Sequence, residues 1–367
     1  MKKLNITRVL YLISVFITHK EVKKDLFIGL KAIDLEEMLR FSMQQGVNAI
    51  AFASLLKIWD EIDKCDEEKD ALILVLMKWT GYSWMIKRNY SVLYNSAKQF
   101  MKLMRSSNVN VLLFKGFAMN SFYPDPTVRS FGDFDFYSFG EHKKVAKKVE
   151  EFGIKVDYYS KHDIFDFHSC HIELHKYFVK NDTWSGRLIN GYLLSIAKIS
   201  NFKKQEEGWF VPSIEFNAIY LLRHMADHLG YEGVTLKNLV DWALFLKSLN
   251  PSEVKSNEKV LDVLKRSKML NTWNAFTEVT CNLFKVDLHG FIIGDVDKKM
   301  IVKLELEIIK TQLHAEQRCF LPLRLVKKTQ RLFKRKWMYE CGLLPGNYWR
   351  EIVWSSFIGH ILDPRNI

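Results

Sequence analysis

The stretch Val111–Phe139, VLLFKGFAMNSFYPDPTVRSFGDFDFYSF, constrains the fold more than any other part of the chain. A short apolar run, Val111–Phe114, ends in Lys115-Gly116, and a turn-rich Tyr123-Pro124-Asp125-Pro126 follows. Phe131–Phe139 then alternates aromatic residues with Asp133 and Asp135. Residues i and i+2 of a strand share a face, so the two aspartates should project side by side while Phe134 and Phe136 face an apolar layer. Two carboxylates held together repel unless a cation sits between them. The pair is therefore a candidate divalent-metal site.

Strands and helices interleave around this stretch. Ser91–Ser106 reads as a helix, Val109–Phe114 as a buried strand, Phe117–Phe122 as a helix after a tight turn, and Phe131–Phe139 as a strand. Glu141–Phe152 is a lysine-rich amphipathic helix closed by Gly153, and Ile154–Tyr159 and Cys170–Phe178 are further strands. Such short spacing implies a small mixed sheet. The flanks carry the helical period. Leu35, Met38, Leu39 and Ser42, then Val47, Ile50, Ala51, Leu55 and Ile58, approximate i, i+3, i+4 spacing, as do Ser213–Leu229, Leu236–Leu249 and the runs 252–285 and 297–317. The expected class is α+β, with a helical N-terminal region over 1–90, an α/β core over 91–205, a helical C-terminal domain over 206–320 and a basic, aromatic tail over 321–367.

A chain of 367 residues that is 48% hydrophobic has room for a sizeable core and is not a disordered protein. Its net charge of +12 suits an anionic ligand or simply a basic surface. The five cysteines are odd in number and unpaired in spacing, which points to a reducing, cytoplasmic setting and away from a disulfide framework or zinc ribbon. Val9–Ile17 faintly imitates a signal peptide, but Arg8 and the flank Thr18-His19-Lys20-Glu21 do not fit one. No stretch reaches the roughly 18 apolar residues a transmembrane helix needs.

A third carboxylate is decisive. His171, Glu173 and His175 share one face of the Cys170–Phe178 strand. If that strand lies beside Phe131–Phe139, Glu173 joins Asp133 and Asp135. Oxygen ligands on rigid strands suit Mg²⁺ (Mn²⁺ as an alternative), which takes the rest of its shell from water and phosphate. The strand-turn-helix passage at Lys115-Gly116 offers backbone N–H groups to those phosphates.

Together, Leu113, Lys115, Gly116, Tyr123, Pro124, Asp125, Pro126, Arg129, Asp133, Asp135, Glu173 and His175 resemble a pattern of the nucleotidyltransferase superfamily typified by DNA polymerase beta. More narrowly they resemble a bacterial family of uncharacterised nucleotidyltransferases. The resemblance is firm over 109–178 and extends over about 30–250. It implies a small mixed-sheet nucleotidyltransferase core that moves a nucleoside monophosphate from an NTP to a hydroxyl acceptor, whether a small molecule, a sugar, RNA or a protein. Asp133, Asp135 and Glu173 would be the catalytic, metal-holding acids; Lys115, Gly116, Arg129 and His175 would bind nucleotide or phosphate. The superfamily usually has Gly-Ser or Gly-Gly where this chain has Lys115-Gly116.

Blander readings stand beside these. The aspartates can be solvated strand-end acids, Lys115 a loop lysine, Arg129 a structural partner of Asp125 or Asp133, and His175 a core histidine. A non-catalytic nucleotide-binding module on the same fold is the alternative function. His224 and His228 have the i, i+4 spacing of zinc proteases but lack the Glu after the first His, so cleft lining or helix packing suits them better. The basic Arg324–Trp337 allows nucleic acid as a partner, without any recognised reading motif beside it.

Overall fold

Alternation in the acid-bearing segments builds a sheet with one polar and one apolar face. The computed structural model describes residues 2–21, 23–62, 65, 68–311, 330 and 333–353. Its centre is a seven-stranded sheet in the order β3-β4-β5-β2-β1-β7-β6. The strands are β1 (Leu112–Leu113), β2 (Phe134–Tyr137), β3 (Asp157–Tyr158), β4 (His162–Phe167), β5 (Cys170–His175), β6 (Lys203–Lys204) and β7 (Phe210–Val211). β2 runs parallel to β5, with Asp135 opposite Glu173 and Tyr137 opposite His175. β4 runs antiparallel to β5, which sets His162 opposite His175.

The apolar face carries Phe134, Phe136, Phe165, Ile172 and Leu174. It packs against Ala97, Phe100, Met101 and Met104 of α4 (Lys69–Ser106) and against Val145, Ala146 and Val149 of α5 (His142–Glu151). Spacings of three and four put each helical set on one stripe. α4 has 38 residues, about 57 Å at the usual helical rise. It runs unbroken through residue 90, and its first half buries Leu72 and Trp79 under α2 (Ala32–Gln44) and α3 (Asn48–Leu56). The Trp79 indole N–H donates to the Asn48 carbonyl at 3.0 Å.

The remaining helices are α1 (Lys3–Thr18), which absorbs the apolar run Val9–Ile17 into the core, α6 (Trp184–Ile196), α7 (Ile214–Tyr231), α8 (Leu236–Lys247), α9 (Pro251–Lys255), α10 (Glu258–Arg266), α11 (Leu270–Phe284) and α12 (Lys298–Lys310). N-terminal and C-terminal helices share one hydrophobic cluster. The buried Gln45 ties them further: its amide nitrogen donates to the Thr311 carbonyl at 2.7 Å, and its oxygen accepts from the Leu236 N–H at 2.9 Å. No helix among the described residues is long and apolar enough to cross a membrane.

The central elements are shorter than their apolar runs suggested. The strand expected over Val109–Phe114 is Leu112–Leu113, because Lys115 turns to positive φ. The helix expected over Phe117–Phe122 is a 3₁₀ helix, Gly116–Phe122. The strand expected over Phe131–Phe139 narrows to Phe134–Tyr137, so Asp133 lies one residue before it. β4 was not expected, since its sequence HDIFDF breaks the apolar run with acids and a histidine. Most of the basic segment Arg324–Trp337 lies outside the described residues. Within the described part, Arg335 is buried with its Nε 3.6 Å from a Glu307 carboxylate oxygen, and the Lys303 ammonium stands 3.9 Å over the Trp337 ring.

Candidate active site

The turn after β1 is where the backbone is most constrained. Lys115 has φ 60° and ψ −154°, a region that is essentially glycine territory. Gly116 follows at φ +32°, and a Cβ there would stand 3.5 Å from the Asp133 carbonyl oxygen. The Lys115 Nζ lies 2.8 Å from Oδ1 of Asp135. Burial works against its charge, but Asp135 outweighs that and raises its pKa.

Asp135 is buried on the polar face. Its Oδ1 also meets the His175 Nε2 at 2.9 Å, and the same nitrogen lies 3.1 Å from Oε2 of Glu173. The His175 Nδ1 is 3.3 Å from the Tyr177 carbonyl oxygen. Burial favours the neutral Asp135 carboxyl, but Lys115 and His175 hold it well below the usual carboxylate range. Glu173 follows the same logic: burial pushes it up, and the bond from His175 brings the net position below normal. Asp133 goes the other way. Partial desolvation and then the charges of Glu173 and Asp135 raise its carboxyl, although its side chain reaches solvent. The three expected acids are thus electrostatic neighbours: Asp133 feels Glu173 and Asp135, and Glu173 feels Asp135.

His162 enters from β4. Its Nδ1 is buried without a hydrogen-bond partner and lies 3.7 Å from Oε2 of Glu173. Burial pushes the ring down to about 4, so it is neutral. Lys161 and Lys237 are pulled down to about 8, in each case first by burial; Lys115 also opposes the charge on Lys161, and Arg129 that on Lys237. Asp135 and Glu173 pull on Lys161 in the opposite sense, and Asp241 and Asp133 on Lys237. Tyr220 of α7 lies beside Lys115, and the ring of His224 stacks on it at 5.8 Å. His224 Nε2 meets His228 Nε2 at 3.1 Å. This pair lines α7 and is not part of the donor cluster described below.

Arg129 is engaged elsewhere. Its Nε and Nη2 donate to the two Asp241 oxygens at 2.8 Å each, and the Tyr123 hydroxyl donates to Oδ1 at 2.7 Å. All three residues are buried. Asp125 instead caps the next turn, accepting from the Thr127 N–H at 3.0 Å. The Tyr-Pro-Asp-Pro segment is thereby clamped to α8.

Among the described residues, one donor set has its ligand atoms all within 4.8 Å of one another: His162, Glu173 and His175. Asp133, Asp135 and Glu173 are linked as electrostatic neighbours. Sequence reasoning missed His162, Lys161, Lys237 and Tyr220. For His162 a faint signal existed, since the period of two in HDIFDF places it with Ile164 on one face.

A family model described as an uncharacterised nucleotidyltransferase matches residues 31–280. Among curated proteins none matches. The solution structure of the antibiotic-resistance factor ANT(2'')-Ia is similar at 13% identity and a TM-score of 0.35, over 48% of this chain and 95% of that one. The crystal structure of ANT(2")-Ia in complex with adenylyl-2"-tobramycin gives 14% and 0.33, over 45% and 92%. The Megavirus polyadenylate synthase gives 12% and 0.27, over 56% and 48%.

Proposed function

The chain belongs to the family of uncharacterised nucleotidyltransferases, and from that premise we propose that it moves a nucleoside monophosphate from an NTP to a hydroxyl acceptor. The supporting observation is the register that sets Glu173 directly opposite Asp135, beside Asp133. The acceptor oxygen attacks the α-phosphorus, the bond to the β-phosphate oxygen breaks, and pyrophosphate leaves. Asp133, whose carboxyl is raised by its surroundings, is the acid fitted to take the hydroxyl proton.

Asp133 just before β2, Asp135 on it and Glu173 on β5 offer the hard oxygen donors that a divalent cation, Mg²⁺ or Mn²⁺, takes. Such an ion, when bound, neutralises phosphate charge and makes a coordinated hydroxyl more acidic. The chain's own cations do the rest. Lys115 and the Gly116 backbone, with Lys161 and Lys237 flanking, face the triphosphate; His175 fixes the Asp135 and Glu173 carboxylates. Arg129 positions the Tyr123–Arg129 turn through Asp241. On this reading 91–205 is the catalytic core and the helical regions are its frame. The free thiols Cys65, Cys170, Cys281 and Cys341 fit the cytoplasm.

The Lys115–Asp135 ion pair favours a second reading, a nucleotide-binding module in which lysine serves as a permanent counter-charge. Incubation of the full chain with each labelled NTP, Mg²⁺ and an acceptor panel separates the two. Pyrophosphate release that Asp133→Asn abolishes supports transfer; nucleotide-induced thermal stabilisation without release supports the binding module.

A further inference from the structure

We propose that the polar face holds a nitrogen-ligated transition-metal site made by His162, Glu173 and His175, with Mn²⁺ or Zn²⁺ preferred over Mg²⁺. The site shares Glu173 with the transferase reading and rests on that reading only for what the cation would do there. The carboxylate trio alone would give a hard, all-oxygen site. Two imidazoles change that character.

Three observations on separate residues converge. The donor atoms of His162, Glu173 and His175 lie within 4.8 Å of one another. Ligands at about 2.0–2.2 Å from a shared ion stand up to roughly 4 Å apart, so a closing shift of under an ångström completes the set. Next, the His162 Nδ1 is buried and makes no hydrogen bond, yet points toward Glu173 at 3.7 Å. A buried nitrogen without a partner is uncommon, and a metal–nitrogen bond supplies one.

His175 provides the third. Its Nδ1 faces the Tyr177 carbonyl oxygen at 3.3 Å. A backbone carbonyl on one ring nitrogen is the usual device for presenting the other nitrogen as a ligand. Without an ion, Nε2 donates its proton to the Asp135 and Glu173 oxygens 2.9 and 3.1 Å away. A bound metal takes the place of that proton, and the ring's remaining N–H then donates to the Tyr177 carbonyl.

Sheet register explains why the donors meet. Antiparallel pairing sets His162 opposite His175, and Glu173 lies two residues before His175 on the same face. All three ligands come from adjoining strands, a rigid base. Imidazole suits Mn²⁺ less than Zn²⁺, and both better than Mg²⁺, which keeps oxygen and water around it.

The test uses the full chain with metal alone and no nucleotide. Mn²⁺ is titrated and followed by electron paramagnetic resonance, with pulsed measurements for ¹⁴N coupling. The expected result is bound Mn²⁺ with imidazole coupling, displaced by equimolar Zn²⁺ and retained in a hundredfold excess of Mg²⁺. His162→Gln should weaken Mn²⁺ binding at least tenfold without loss of fold, since the His162 Nδ1 has no partner to orphan. His171→Gln, on the same strand but exposed and paired with Asp166, should leave Mn²⁺ binding within about threefold. Absence of nitrogen coupling, or Mn²⁺ binding unchanged in folded His162→Gln, overturns the proposal. Nitrogen-ligated Mn²⁺ without pyrophosphate release keeps this site and removes the transferase; release with Mg²⁺ but no nitrogen-ligated ion does the reverse.

Discussion

Asp135 of β2 and Glu173 of β5 stand directly opposite each other in a parallel pairing, and one nitrogen, Nε2 of His175, contacts both carboxylates at 2.9 and 3.1 Å. Two acids on neighbouring strands would repel in isolation. Here a lysine and a histidine offset that repulsion, and Asp133 is left as the exposed, more basic member of the trio.

Asp133 and Asp135 should separate under mutation, because burial differs. Asp135→Asn leaves the Lys115 ammonium without its counter-charge, and we expect a loss of about 3 kcal/mol in urea unfolding. Asp133→Asn should change stability by under about 0.5 kcal/mol. Both should lower pyrophosphate release at least a hundredfold. A fully active Asp133→Asn protein would remove that residue from the chemistry.

Lys115 carries a backbone conformation that side chains resist. Lys115→Gly and Lys115→Ala both delete the ammonium, so their difference reports the backbone alone. Glycine should be the more stable by about 1–2 kcal/mol, the reverse of its usual effect. Equal stabilities in urea would show that the turn relaxes at no cost.

The Asp133 carboxyl should titrate above the ordinary aspartate value of about 3.9, as followed by carboxyl NMR. Glu173→Gln removes the largest charge that raises it and should move it down. The sign for stability follows: an acid raised in the folded state favours the fold most below its unfolded pKa and loses that contribution as pH rises through the folded value. Asp135, held low, contributes above about pH 4 and loses its contribution as pH falls through its depressed value. Transfer should likewise decline as Asp133 takes up its proton. A downward pKa in wild-type protein would contradict the crowding of the three acids.

Asp241→Asn should cost about 3 kcal/mol, since Arg129 would be left buried against a neutral amide. Arg129→Met combined with Asp241→Leu should recover a good part of that loss in urea unfolding while leaving the Tyr123 hydroxyl unpaired. Recovery of stability without recovery of transfer would mark the pair as a positioning device for the turn.

Much of the site was legible because it is written in local periodicity. The period of two marks Asp133 with Asp135 and Glu173 with His175, and the helical spacings mark α7 and α8 and the flanks. The α+β class follows from that alternation of periods. Other features rest on long-range choices. Arg129 was expected at phosphate, or on Asp125 or Asp133, and its partner is Asp241 on α8; two opposite charges far apart in sequence carry no signal of their pairing. The contact of the Lys115 ammonium with Asp135 likewise joins residues far apart in sequence.

The sequence by itself determined which residues share a strand face, where the glycine-bearing turn falls, and that helices flank the sheet, because side-chain direction repeats with backbone period. Only the tertiary structure decided which faces adjoin. Strand register set Glu173 beside Asp135 and brought His162 to His175. Packing of α8 against the Tyr123–Arg129 turn fixed which anion meets Arg129 in the buried layer, where charges select partners by distance.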